Sequence, residues 1–169
     1  MSIQTTWERF AVFNMDGRGL RFKFEDLCRQ LFTNEFLSPN RSVHYLRSNP
    51  NNAGLETDPI YDEKSKRWIG FQAKYYSGRP NYNDILDSAK KIVAMYKGKV
   101  NHVYLYCNKK ITDTSTEYLR TVELLRENGI TIEDVTDDII LDRVRMYPYL
   151  QLYYFTEYDL SYEFPLKKR

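Results

Sequence analysis

The sequence predicts an α/β domain, a mixed sheet flanked by helices, and three observations predict it. Two β-prone runs at about 55–61 and 67–76 are joined by the charged loop Asp62-Glu63-Lys64-Ser65-Lys66, the pattern of an antiparallel hairpin. Residues 100–107 are almost continuously apolar, which suits a strand covered on both faces. From there to residue 135 the pattern runs strand, helix, strand, a right-handed βαβ unit with parallel pairing.

Each element follows from local chemistry. Phe24, Leu27, Cys28, Leu31, Phe32 and Phe36 recur at helical spacing and make about 23–37 an amphipathic helix, with Pro39 as its stop. Residues 42–48 read as a strand, and Asn49-Pro50-Asn51-Asn52-Ala53-Gly54 is a dense turn signal. Ile85, Ala89, Ile92, Val93 and Tyr96 form a second helical stripe, ended by Gly98. The capping box Thr114-x-x-Glu117 opens a helix bearing Tyr118, Val122 and Leu125, closed at Asn128-Gly129. A strand at 130–135 and a helix at about 137–146 complete the predicted elements. The tyrosine-rich stretch 147–164 has no periodicity that assigns it.

Composition narrows the class. The chain has 169 residues and a net charge of +2, a size that suits one domain with a real core. A mean hydropathy of -0.63, with no apolar run near the ~20 residues of a bilayer span, excludes an integral helical membrane protein. Residues 1–10 lack the basic and apolar regions of a signal peptide. Cys28 and Cys107 lie in apolar segments outside any metal spacing, so two buried thiols in a reducing cytoplasm are expected. The charge is unevenly spread: 1–60 carry seven basic and seven acidic residues, 61–110 eleven and four, 111–169 seven and twelve. The corresponding nets of 0, +7 and -5 put a basic face in the middle third, suited to a polyanion.

The chemistry-bearing residues lie on the hairpin. Glu56 and Asp58 share one face of its first strand, and Gln72 and Lys74 share one face of the second. A turn centred near Lys64 pairs residues whose numbers sum to about 128 to 130, which sets Glu56 opposite Gln72 to Lys74. Carboxylate, amide oxygen, the Ala73 carbonyl and an ammonium thus converge, an all-oxygen set of the kind Mg²⁺ or Mn²⁺ prefers with a cation beside it. Lys74 can position or deprotonate a water, or stabilise charge on phosphorus, so metal-assisted hydrolysis of a phosphodiester fits the inventory.

Gly54-Leu55-Glu56, then Gln72-Ala73-Lys74-Tyr75-Tyr76, preceded by a helical acid at Glu25, resembles the PD-(D/E)xK nuclease superfamily. Ile69-Gly70-Phe71-Gln72-Ala73-Lys74-Tyr75 is most similar to the Q-x-K variants, Mrr-type restriction endonucleases and the nuclease domains fused to antiviral STAND-type NTPases. The resemblance covers about 20–135. It implies a restriction-endonuclease-like core over 1–146 and Mg²⁺-dependent cleavage of double-stranded DNA within a prokaryotic defence protein. It assigns metal binding to Glu56 or Asp58, with the Ala73 carbonyl and the first-helix acid Glu25, the second-motif position to Gln72, and the catalytic lysine to Lys74. Asp58-Pro59 reverses the family's Pro-Asp order; the register favours Glu56, with Asp58 as partner in a two-acid site. Residues 147–169 are then expected to be a C-terminal extension, and the end Leu166-Lys167-Lys168-Arg169 suggests a continuation into further domains through which a homo-oligomer would form.

Other readings stand beside these. RNA or branched DNA is an alternative substrate, and a catalytically silent nucleic-acid-binding or assembly module is an alternative of another class, since Gln72 in place of an acid removes a charge. Glu25 also reads as an ordinary first-turn acid, Lys74 as a surface lysine on an edge strand, and Gln72 as a buried amide satisfied by backbone. Tyr75, Tyr76 and Arg79 suggest a DNA-facing wall, with Lys90 and Lys91 on the polar face of the next helix suited to phosphate or to solvent. His44 and His102 read as ordinary half-buried histidines.

Overall fold

The computed structural model describes residues 3–15, 19–37, 54–112 and 115–157. The predicted strand at 42–48, the turn residues 49–53, His44, Thr114 and the stretch 158–169 lie outside the described residues. The elements run α1 (Trp7–Phe13), α2 (Gly19–Phe36), β1 (Ile60–Asp62), β2 (Arg67–Lys74), α3 (Tyr82–Tyr96), β3 (His102–Cys107), α4 (Thr116–Glu127), β4 (Thr131–Thr136), α5 (Asp138–Arg145) and α6 (Pro148–Phe155).

The strands form one sheet in the order β1-β2-β3-β4. β1 pairs antiparallel with β2 through Ile60 and Ile69, Tyr61 and Trp68, Asp62 and Arg67, so each pair sums to 129. β2 with β3 and β3 with β4 are parallel, and α3 and α4 are the crossovers. The sheet is mixed and flanked by helices, as the sequence predicts.

Alternation along the strands divides the core. Ile69, Phe71, Ala73, Tyr104 and Tyr106 meet Phe24, Leu27, Cys28, Leu31 and Phe32 of α2, together with buried residues of α1, α5 and α6. Val103 on the opposite face meets Ala89, Ile92 and Tyr96 of α3 and Leu125 of α4. Leu105 packs with Ile85 and Tyr118. All six residues of β3 are buried, which explains its continuous apolar run. Fully buried side chains such as Phe32, Phe71 and Leu105 are each worth about 1.5–3 kcal/mol relative to exposure.

Two local expectations are corrected, and part of a stretch the sequence leaves unassigned gains a structure. The first hairpin strand is not 55–61 but only Ile60–Asp62. Pro59 has no N–H for a ladder, and Gly54, at φ +91, turns the chain beneath α3 before any pairing begins. The N-cap of α4 is Ser115, whose hydroxyl accepts from the Tyr118 N–H, in place of the expected Thr114. The stretch following residue 147 begins with α6, in which Leu150, Tyr154 and Phe155 are buried in the core. Among the described residues no helix is long and apolar enough to cross a membrane.

Candidate active site

The site forms where the segment 54–58 runs along β2 beyond the end of β1. Gly70 leaves room for this approach, since a Cβ there would stand 2.9 Å from the Leu55 side chain. Leu55 itself is buried with Ala89 and Ile92 of α3, and that anchor brings the next residue, Glu56, to the strand edge. The Glu56 N–H donates to the Phe71 carbonyl (2.9 Å), and the Ala73 N–H donates to Glu56 Oε1 (3.3 Å). Gln72 Nε2 donates to the Gly54 carbonyl (2.8 Å) in a buried contact that ties the same segment down from its other end. The predicted register therefore puts Glu56 at Ala73, although no regular strand carries it there.

Glu25 reaches this edge from α2. Its Oε1 accepts from Arg29 Nη2 (2.9 Å), while Nη1 of the same guanidinium donates to Asp26 (3.1 Å). Burial raises the Glu56 carboxyl to about 7, and the neighbouring Glu25 charge adds to the rise. The Ala73 N–H and the Lys74 ammonium oppose it. Two carboxylates are thus crowded beside one stretch of main chain. In an extended strand the N–H and C=O of a residue point the same way, so the Ala73 carbonyl faces the edge that its N–H offers to Glu56.

Lys74 shares the face of Gln72 and is only 6% exposed. Its Nζ lies 3.0 Å from Asp84 Oδ2 in the first turn of α3. The Tyr76 hydroxyl donates to the same Asp84 oxygen (2.7 Å). Burial works to raise the Asp84 carboxyl, but the Tyr76 hydroxyl and the Lys74 ammonium together hold it below the ordinary range. Burial and the Asp84 carboxylate push the Tyr76 phenol up. The Tyr76 main chain is fixed as well: its N–H donates to Asn108 Oδ1 (2.9 Å), and Asn108 Nδ2 donates to its carbonyl (2.8 Å).

Glu25 and Glu56 are therefore gathered at the Ala73 main chain, whereas Lys74, one residue on, turns to the α3 side of the sheet with its ammonium on Asp84, and Gln72 on that same face has its amide nitrogen committed to Gly54. Asp58 is exposed, and among the described residues its carboxylate contacts none of the other three charged groups. Tyr75 packs against Phe10 and Phe24 at ring-centre distances of 5.8 and 5.5 Å. Arg79, Lys90 and Lys91 are exposed, and Lys90 lies 4.0 Å from Asp87. His102 is buried beside the Thr131 hydroxyl, and burial with the Arg67 charge brings its imidazole down to about 4. Cys28 and Cys107 are buried free thiols; burial pushes Cys107 up to about 11 and Cys28 well above its ordinary range.

Asp84, Arg29 and Asn108 are the residues that sequence reasoning missed. Asp84 reads as a first-turn helix acid after the Asn81 cap, and Arg29 as a surface i,i+4 partner. The available signal for Asp84 is the short connection 75–81, which forces the first turn of α3 back toward the end of β2. Among the described residues no group of three or more His, Cys, Asp or Glu stands ready to hold a metal ion.

The fold and the site define an α/β protein with a four-stranded mixed sheet flanked by helices and an acid pair and a buried lysine at one sheet edge. No family model matches the chain, and no curated protein matches it.

Proposed function

We propose that this chain is a divalent-metal-dependent endodeoxyribonuclease of PD-(D/E)xK type with a restriction-endonuclease-like core. The observation that carries the reading is the crowding of Glu56 against Glu25 at the Ala73 main chain, one residue from the buried Lys74. A carboxyl raised to about 7 by burial and a second acid is a group that a hard cation would stabilise in its charged form. The donor set fits Mg²⁺ or Mn²⁺, because Mg²⁺ commonly takes only one or two protein carboxylates and keeps several waters. Glu56, the Ala73 carbonyl and Glu25 would hold the ion, which supplies Lewis acidity for attack of water on phosphorus.

The protein's own groups do the rest. Lys74, at the end of a strand buried on both faces, presents an ammonium that can orient the attacking water or donate to a phosphoryl oxygen. Gln72 acts through Gly54: its amide hydrogen bond holds the segment that delivers Glu56. Exposed Arg79, Lys90 and Lys91 supply cations for double-stranded DNA. The order of acid-bearing helix, G-x-E segment, Q-x-K strand, helix and strand supports this reading, as does the resemblance in residues 54–76. Placement as the effector of a prokaryotic antiviral protein that self-associates through further domains rests on the resemblance alone.

Plasmid nicking with Mg²⁺ tests it. Glu56→Ala and Lys74→Ala are each expected to slow cleavage by roughly 10²-fold or more, in the range of lost electrostatic stabilisation, when assayed well below the thermal midpoint of each variant. Undiminished cleavage in both variants would sink the assignment. A second reading, a silent nucleic-acid-binding module, is favoured by Gln72 standing where an acid would bring a further negative charge to a metal. Calorimetric titration separates the two: no Mg²⁺ or Mn²⁺ binding, with salt-sensitive DNA binding retained, selects the silent module.

A further inference from the structure

Lys74 is long and flexible, and four rotatable bonds would let its ammonium wander unless something fixed it. Two contacts converge on one oxygen to prevent this: Lys74 Nζ at 3.0 Å and the Tyr76 hydroxyl at 2.7 Å from Asp84 Oδ2. Tyr76 cannot drift, because Asn108, just past the end of β3, accepts from its N–H and donates to its carbonyl. Asp84 cannot drift either, because its N–H donates to Asn81 Oδ1 (3.0 Å) at the start of α3. The ends of β2 and β3 and the start of α3 are thus joined through Tyr76, and Lys74 is suspended from that junction.

We propose that Asp84 is a positioning residue for Lys74, itself held by Tyr76, and that Tyr76 serves this junction in place of the DNA-facing wall its sequence position suggests. The inference rests on the hydrolytic reading above for its kinetic consequence and on geometry for the rest. Tyr76 is partly buried with its hydroxyl turned to Asp84, so the group a DNA wall would offer is already used. Asp84 touches no reacting atom; it acts by where it leaves the ammonium. Holding a reacting group in place is worth large factors in rate, and releasing it costs them.

The test uses the full chain, Mg²⁺ and supercoiled plasmid, with kcat and KM measured for Tyr76→Phe, Asp84→Asn and the double variant. Positioning predicts a fall in kcat of about 10²-fold for Asp84→Asn and several-fold for Tyr76→Phe, with KM for DNA unchanged. The double variant should be no slower than Asp84→Asn alone, because Tyr76 acts through Asp84. A raised KM with unchanged kcat in Tyr76→Phe, or losses that simply add, overturns the proposal. Crystal structures of the parent and of Asp84→Asn give a second readout that needs no activity. Displacement of Lys74 Nζ with the strand unmoved supports it, and an unmoved ammonium overturns it. Should Asp84→Asn fail to fold, Tyr76→Phe carries the same comparison through the orientation of the Asp84 carboxylate. Should the parent cut nothing, the hydrolytic reading fails, while the crystal structures still decide the role of Asp84.

Discussion

Glu56 and His102 carry opposite pH dependences within one molecule. Glu56 is raised from 4.5 to about 7, so the folded metal-free protein holds that proton more tightly than the unfolded chain does. Its contribution is fully present below 4.5 and is lost as pH rises through about 7. His102 is lowered from 6.5 to about 4, so the folded form resists protonation. Its contribution is present above 6.5 and is lost as pH falls through about 4. The two slopes oppose each other in the same window. Denaturant unfolding between pH 4 and 7 in a chelator should show stability falling more steeply toward acid in Glu56→Gln than in the parent, because the Glu56 slope that opposes His102 is removed. Equal slopes in the two proteins would contradict the burial of Glu56 beside Glu25. The sequence made Glu56 and Lys74 legible, because hairpin arithmetic needs only strand numbers and a turn centre. Asp84 and Arg29 were not legible in this way, since their roles depend on how helices dock, and docking leaves no local pattern.

Gly54–Asp58 shows how much a single element depends on backbone shape. Gly54 sits at φ +91, and a Cβ there would stand 2.5 Å from the Ser88 carbonyl oxygen and 2.6 Å from Ile92 Cγ1. Gly54→Ala therefore combines a left-handed conformation with a clash against α3 backbone. A stability loss on the order of 3 kcal/mol, read from denaturant midpoints, is expected from the two together. A loss under about 0.5 kcal/mol, the range of an ordinary surface change, would mean that the segment is not wedged as described. Reading 55–61 as a strand failed here because alternation survives in the sequence even where Pro59 and Gly54 prevent pairing. In α6 the failure had another cause. Tyr149 and Tyr153 are 45% and 46% exposed while Tyr154 is buried, so the residue type that dominates the helix does not mark its inner face.

At the scale of the whole molecule, charge decides how a polyanion would be held. The +7 middle third contains β2 and α3, whose Lys90 and Lys91 are exposed. Binding to duplex DNA should weaken steeply with salt, and Lys90→Ala with Lys91→Ala should lower the log–log salt slope by about two if both meet phosphates. An unchanged slope in fluorescence anisotropy would assign these lysines to solvent. The α/β class was legible at this scale because hairpin and βαβ patterns are carried by long, strongly patterned segments.

The segment that delivers Glu56 has a further consequence, for solubility. β1 is only three residues long, and beyond it the Phe71 carbonyl and the Ala73 N–H would form a bare strand edge, a template for another chain. Glu56 occupies both, one with its main chain and one with its carboxylate. The residue that crowds the acid pair also blunts the sheet, so changes that dislodge 54–58 should promote self-association along β2 as well as disturbing the chemistry.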